Sequence, residues 1–210
     1  MEDYQHKFIE LAISKQALTF GKFTLKSGRI SPYFFNTGKF NNASSLELLA
    51  DCYAQTLQHT NWEFDTIMGL AYKGIPLVSA TSILMHQKYG RDIDYAFNRK
   101  QVKTYGDSGV IVGTPLHNKR IVLIDDVITA GTAVTDILPS IEGSGASIAG
   151  VLVALDRQEK IPATSPIITH DIPVDSIISI DNILHYLGQS NSLEKNTATE
   201  LAEYKKLYGV

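Results

Sequence analysis

Cysteine is almost absent from this sequence: Cys52 stands alone among 210 residues. No intrachain disulfide can form, and a reduced, cytoplasmic setting is the expectation. An excess of one charge is missing too. Nineteen Lys and Arg stand against 22 Asp and Glu, a net charge of -3. Neither nucleic acid nor a membrane surface is therefore an expected partner, and any anion site must be local. Long apolar runs are also lacking. The longest, Ile148–Leu155, has the length of a buried strand, well below the ~20 residues of a membrane span. Glu2, Asp3, Lys7 and Glu10 interrupt the start, so no secretory signal is expected there. There is no GK[ST] and no GxGxxG, which removes the NTP-hydrolysing P-loop and the dinucleotide fingerprint. Internal repeats and low-complexity tracts are absent.

What is present alternates. Residues 3–20 show one apolar helical face through Tyr4, Phe8, Leu11, Ala12 and Leu18. Residues 20–43, with Gly21, Gly28, Pro32 and Gly38 among aromatics, predict hairpins and turns. A helix over 45–59 follows from Leu46, Leu49, Ala50, Tyr53 and Leu57, with Ser44 or Ser45 as its cap. Next come a strand at 65–70, a helix at 74–89 and a strand at 93–97. Residues 99–118 show no period. Then follow a strand at 120–125, a helix at 132–142, and strands at 148–155 and 176–180. A helix over 194–208 closes the pattern. Continuously apolar strands between amphipathic helices predict a parallel sheet with right-handed crossovers in one domain, 1–210. Pro139 falls inside the helix at 132–142 and predicts a kink or an early end.

The chemistry concentrates at Arg120–Ala133, RIVLIDDVITAGTA. Ligands of parallel sheets bind at the carboxyl ends of strands. Asp125 and Asp126 are expected at that carboxyl edge and not inside the sheet, and Val127–Ala133 lead into a helix through Thr129, Gly131 and Thr132. Such a turn aims backbone N–H groups at one point, and the helix start adds partial positive charge. A phosphate monoester suits that cup. Two adjacent carboxylates beside it suit neighbouring sugar hydroxyls. Two solvated acids before a capped helix are the plain alternative, but a buried strand, paired acids, a glycine turn and two threonines coincide here.

LIDDVITAGTA resembles the phosphoribosyl pyrophosphate (PRPP) motif of type I phosphoribosyltransferases. The resemblance implies that family's fold, a mainly parallel twisted sheet flanked by helices with a small N-terminal hood. It implies that Asp125 and Asp126 hold the ribose hydroxyls. It implies that Val127, Ile128, Thr129, Ala130, Gly131, Thr132 and Ala133 form the phosphate loop. Phe23–Phe35, FTLKSGRISPYFF, resembles the hood of orotate phosphoribosyltransferases. By that likeness Lys26 reaches the substrate, and Phe34 and Phe35 cover the flat pyrimidine. The same likeness implies that Thr129 also serves the orotate site.

Three more segments fit the same family, over about residues 3–187. Gly69–Gly74, GLAYKG, resembles the loop that binds pyrophosphate, often through a non-proline cis peptide. Ala71–Tyr72 is the candidate bond, with Tyr72 and Lys73 as PRPP contacts. Asn98–Gly109 places Arg99, Lys100 and Lys103 before a glycine-rich loop. In the family this is a mobile lid, here 99–115, whose tip enters the neighbouring subunit of a homodimer. Lys103 is the main catalytic candidate, with Asp125 and Asp126. Tyr105 stands where the family usually has histidine. It can donate a hydrogen bond but is not a proton shuttle near neutrality. Arg157, just past another strand, pairs by resemblance with the orotate carboxylate. The expected hood spans about 1–43 with C-terminal elements, and the core about 60–180.

The implied reaction joins orotate to PRPP, giving orotidine 5′-monophosphate and pyrophosphate in pyrimidine (UMP) biosynthesis. Mg²⁺ is the implied cofactor, held mainly by PRPP and water with no direct protein ligand. A purine phosphoribosyltransferase and a non-catalytic PRPP-sensing regulator share the PRPP motif and remain alternatives.

Overall fold

The computed structural model describes residues 1–25, 28–103, 109–128, 132–160, 172–189 and 192–210. It contains eight strands and six α-helices among these residues. Six strands form one sheet in the order β5-β4-β3-β6-β7-β8. These are β3 (Thr66–Gly69), β4 (Asp94–Lys103), β5 (Gly109–Gly113), β6 (Arg120–Ile128), β7 (Ser147–Asp156) and β8 (Val174–Ser179). All neighbours run parallel except β4 and β5. Alternation along β6 divides the core. Val122 and Ile124 face one cluster, packed with α2 (Ala43–His59) and α3 (Gly74–Tyr89); Ile121 and Leu123 face another, closed by Val134, Ile137 and Ile141 of α4 (Thr132–Gly143). Both faces of the strand are buried, which is why its sequence is apolar without alternation.

The hood is a two-stranded antiparallel ribbon, β1 (Leu18–Thr24) and β2 (Ile30–Phe35). It packs beside α1 (Asp3–Ser14) and α6 (Ser192–Tyr208); Tyr33 and Tyr204 meet edge to face at 6.3 Å.

Several boundaries differ from expectation. The first helix ends at Ser14, not at 20, because Gln16 takes a left-handed turn (φ 54°) and Leu18 begins β1. The second helix is capped by Asn42, whose Oδ1 accepts from the Ser45 amide at 3.1 Å, and not by Ser44 or Ser45. Pro139 neither ends nor shortens α4, which runs on to Gly143. The buried Ile137 and Ile141 on either side hold it to the sheet. The aperiodic stretch 99–118 contains the arms of a ribbon: Lys103 pairs with Gly109 and Ala96 with Gly113. The strand expected at 176–180 gives way at Ile180 to α5 (Ile180–Gly188), which composition did not foretell. Ser179 caps it reciprocally with Asn182, so no Gly or Pro marks the junction.

Candidate active site

β6 pairs with β3 only as far as Ile124 with Gly69, but with β7 as far as Ile128 with Asp156. Asp125 and Asp126 therefore extend past the end of β3 while still inside the ladder with β7. The strand expected to end at Asp125 runs on to Ile128, because pairing with β7 continues. Val127 packs on one core cluster and Ile128 on the other. Any role these two residues have toward a phosphate thus falls to their backbone.

The step left by β3 is filled by the loop from Leu70 to Lys73. Two glycines set its shape. A Cβ on Gly69 would lie 2.2 Å from the Gly74 carbonyl oxygen, and one on Gly74 would lie 2.8 Å from the Ile124 oxygen. The start of α3 thus rests against the sheet backbone. The Ala71–Tyr72 peptide is cis, as the family likeness implied. The Ala71 amide donates to Asn98 Oδ1 at 2.7 Å. Lys73 Nζ reaches Asp126 Oδ2 at 2.5 Å, and Thr37 Oγ1 donates to the same oxygen at 3.1 Å. Asp126 is mostly buried and Lys73 about half exposed, so the ammonium is the solvated end of the pair. Tyr53 donates its hydroxyl to the Asp125 carbonyl at 2.7 Å, fixing the strand from the α2 side. From β4, Lys100 Nζ stands 5.2 Å from the ring centroid of the exposed Tyr72. Arg99 donates to the Gly109 carbonyl across the ribbon at 3.3 Å.

Arg157 follows β7 directly and is 6% exposed. Its Nε donates to Glu159 Oε1 at 2.7 Å, and its Nη2 to Ser31 Oγ at 3.3 Å. The guanidinium carbon lies 4.4 Å from the Tyr33 ring centroid. Phe34 and Phe35 do not share a face, because neighbouring strand residues point oppositely. Phe35 is a core group at 6.2 Å from Phe8; Phe34, 43% exposed, stacks at 5.6 Å on Phe23. The expectation that both rings face one planar base is therefore corrected: Phe35 is a core residue, and of the two only Phe34 is exposed.

Ala133 is exposed in the first turn of α4. Lys26, Tyr105, Thr129, Ala130 and Gly131 lie outside the described residues, as do the side chains of Lys103 and Thr132. Sequence reasoning did not find Thr37, Tyr53 or Asn98. Asn98 opens the cationic segment, but nothing local marks Thr37, which lies 89 positions from the acid it touches. Among the described residues, no three His, Cys, Asp or Glu side chains gather to hold a metal ion. No helix among them is long and apolar enough to cross a membrane.

Residues 40–186 match the family model of the phosphoribosyl transferase domain. The chain is 46% identical to the orotate phosphoribosyltransferase of Nitrosococcus oceani, over 100% of this chain and 97% of that one. The chain belongs to the orotate phosphoribosyltransferase family. It is 47% identical to the Hahella chejuensis member over 100% of this chain and 99% of that one. The crystal structure of the Francisella tularensis member aligns with a TM-score of 0.86 at 43% identity, covering 97% of this chain and 100% of that one. The fold class expected from the PRPP motif is the one found: a type I phosphoribosyltransferase domain with a mostly parallel sheet between helices.

Burial, with the neighbouring Asp126 charge second, lifts the Asp125 carboxyl from 3.8 to about 7. The folded chain thus holds this proton more tightly than the unfolded chain does. The resulting stability is fully present below about pH 4 and is lost as pH rises through about 7. Asp125→Asn keeps the shape and removes the titration. It should stabilise the chain by roughly 1–3 kcal/mol more at pH 8 than at pH 4. Urea unfolding of both proteins at the two pH values measures this, and an equal effect at both would show a carboxyl that is not held neutral.

Proposed function

We propose that this chain transfers the 5-phosphoribosyl group from PRPP to orotate, releasing pyrophosphate and forming orotidine 5′-monophosphate for pyrimidine biosynthesis. The observation that carries the proposal is the pair of acids on β6 beyond the end of β3, met by Lys73 from the cis-peptide loop. A ribose fits the acids, and a pyrophosphate fits the cations beside them. Full-length likeness to orotate enzymes favours orotate over a purine base and turnover over sensing.

The base nitrogen bonds to ribose C1′ as the bond from C1′ to the pyrophosphate oxygen breaks. Charge builds on the ring carbon and on the departing group, as in glycoside cleavage. No side chain attacks. Asp125 and Asp126 accept hydrogen bonds from the ribose hydroxyls and fix C1′ in line with the base. Lys73, Arg99, Lys100 and Lys103 gather on the pyrophosphate, with Lys103 the principal catalytic cation. Thr129–Ala133 take the 5′-phosphate at the start of α4, with Thr129 also near the base. Lys26 and Phe34 bind the base, and Arg157 takes its carboxylate. Tyr105 donates from the lid.

Asp125 and Asp126, adjacent carboxylates at the carboxyl edge of β6, would hold a Mg²⁺ through water and substrate, and the ion would supply positive charge to the departing pyrophosphate. The hood (1–43 with C-terminal elements), the core (60–180) and a mobile lid (99–115) divide the work. The lid excludes water and, in a cytoplasmic homodimer, serves the neighbouring active site.

The test is pyrophosphate release from PRPP, with orotate, uracil, adenine and hypoxanthine offered separately. Orotate should be used far faster than the other three. Equal or faster use of adenine or hypoxanthine would reassign the base, and no release with any base would make the chain a binder.

A further inference from the structure

Arg157 is not held by the base pocket alone. Its Nε–Nη2 edge is occupied by Glu159, with Nη2 at 2.5 Å from Oε1. Glu159 is as buried as its partner, at 8% against 6% side-chain exposure. The same Oε1 accepts the Tyr204 hydroxyl of α6 at 2.9 Å, and Arg29 Nη1 of the hood stands 3.5 Å from Oε2. Glu159 thus lies between two cations. The three groups together carry one positive charge, complementary to one carboxylate.

The backbone around this cluster is unusual. Gln158, between Arg157 and Glu159, has φ 47°, a left-handed conformation that few non-glycine residues adopt. Its amide donates to Asp156 Oδ1 at 2.8 Å. Residues 158–160 are clasped by the end of α6 and the residues after it: Lys160 N donates to the Tyr208 carbonyl at 2.7 Å, and Val210 N to the Gln158 carbonyl at 2.9 Å. Arg29 lies 5.0 Å over the Tyr208 ring. A free arginine side chain samples many rotamers. Here Nε and Nη2 are tied down by Glu159 and Ser31, so the guanidinium plane is fixed and a second carboxylate would meet it from the Nη1 end.

We infer that Glu159 and Tyr204 are positioning residues that aim Arg157 at the carboxylate of the base, so that α6 is part of base selection. This rests on the assignment of Arg157 to that carboxylate made above. A purely structural pair would tie α6 to the hood without affecting the choice of base.

The experiment uses the full chain with orotate, uracil and PRPP as varied substrates. Tyr204→Phe removes one hydroxyl and keeps the ring against Tyr33. It should raise KM for orotate about three- to tenfold, with KM for PRPP and kcat changed less than about twofold. Glu159→Gln should raise it about tenfold or more, and both should lower the preference for orotate over uracil. A loss of thermal stability with KM for orotate unchanged, or an equal rise in both KM values, overturns the inference. Should Glu159→Gln fail to fold, Tyr204→Phe decides alone. Arg157→Lys separates the two levels. If it leaves KM for orotate unchanged, the carboxylate assignment fails and the inference with it. If it raises KM while the other two variants do not, only the positioning role fails.

Discussion

Asp126→Ala is expected to lower kcat/KM for PRPP about 10²- to 10³-fold, with little loss of stability. In the free chain the carboxylate accepts from Lys73 and from Thr37 through one oxygen. In the proposed complex the same carboxylate, beside Asp125, also accepts from the ribose. Hydrogen bonds to a charged group contribute roughly 1.5–3 kcal/mol each. Alanine removes the ribose bond and loosens the aim of Lys73; counting the first in full and the second in part gives roughly 3–4 kcal/mol, which at ~1.4 kcal/mol per decade is the stated range. Stability should hold because Lys73 is half exposed and is solvated when it loses its partner. Asp126→Asn should fall between the two proteins, since an amide still accepts from Thr37 but offers Lys73 no charge. Steady-state kinetics with PRPP varied, beside urea unfolding of the same preparations, measures both quantities. A fall of less than about tenfold would remove Asp126 from the ribose site.

The motif that contains Asp126 was legible because its signal is local. A buried strand, two acids and a glycine turn lie within fourteen consecutive residues, and α2 and α3 announce themselves by spacing. What the sequence hid depends on distance or on context. Thr37, the first residue of the one-turn helix Thr37–Lys39, reaches Asp126 across 89 positions, a contact that no local pattern announces. Tyr204 meets Glu159 across 45 positions, and both are ordinary polar residues to a local reader. Phe34 and Phe35 looked like one aromatic surface until the strand put them on opposite faces. The acids lie further inside the sheet than expected because strand length is set by the neighbour: β3 stops at Gly69 while β7 continues to Asp156. That unequal ending is what makes the site. It leaves Asp125 and Asp126 supported on one side and open on the other.

Gly69→Ala tests that open side, and the expected cost is about 3 kcal/mol or more. The added carbon would sit 2.2 Å from the Gly74 carbonyl oxygen, 2.5 Å from its carbon and 2.9 Å from Val78 Cγ1. Real contacts of this kind are well above 3 Å, so something must move. Two of the three neighbours are backbone, and neither strand nor helix can yield freely. Gly69 is hydrogen-bonded in register with Phe97 and Ile124 on its two sides. Gly74 is held by its own amide bond to the Leu70 carbonyl at 2.8 Å, and α3 is anchored through the buried Leu77, Val78, Leu84 and Met85. The easiest relief is to push the start of α3 away from the sheet. That carries Lys73 off Asp126 and pulls the Ala71 amide from Asn98. Stability and PRPP binding should therefore fall together, with Tm lower by roughly 6–12 °C for a chain of this size. Gly188→Ala is the matched control. It ends α5, is exposed, and its added carbon would meet nothing within 4 Å. It should be neutral or stabilising by up to about 1 kcal/mol. Were Gly69→Ala to melt within a degree or two of the parent and bind PRPP equally well, α3 would not be seated against β3, and the loop between them would owe its shape to something other than the two glycines.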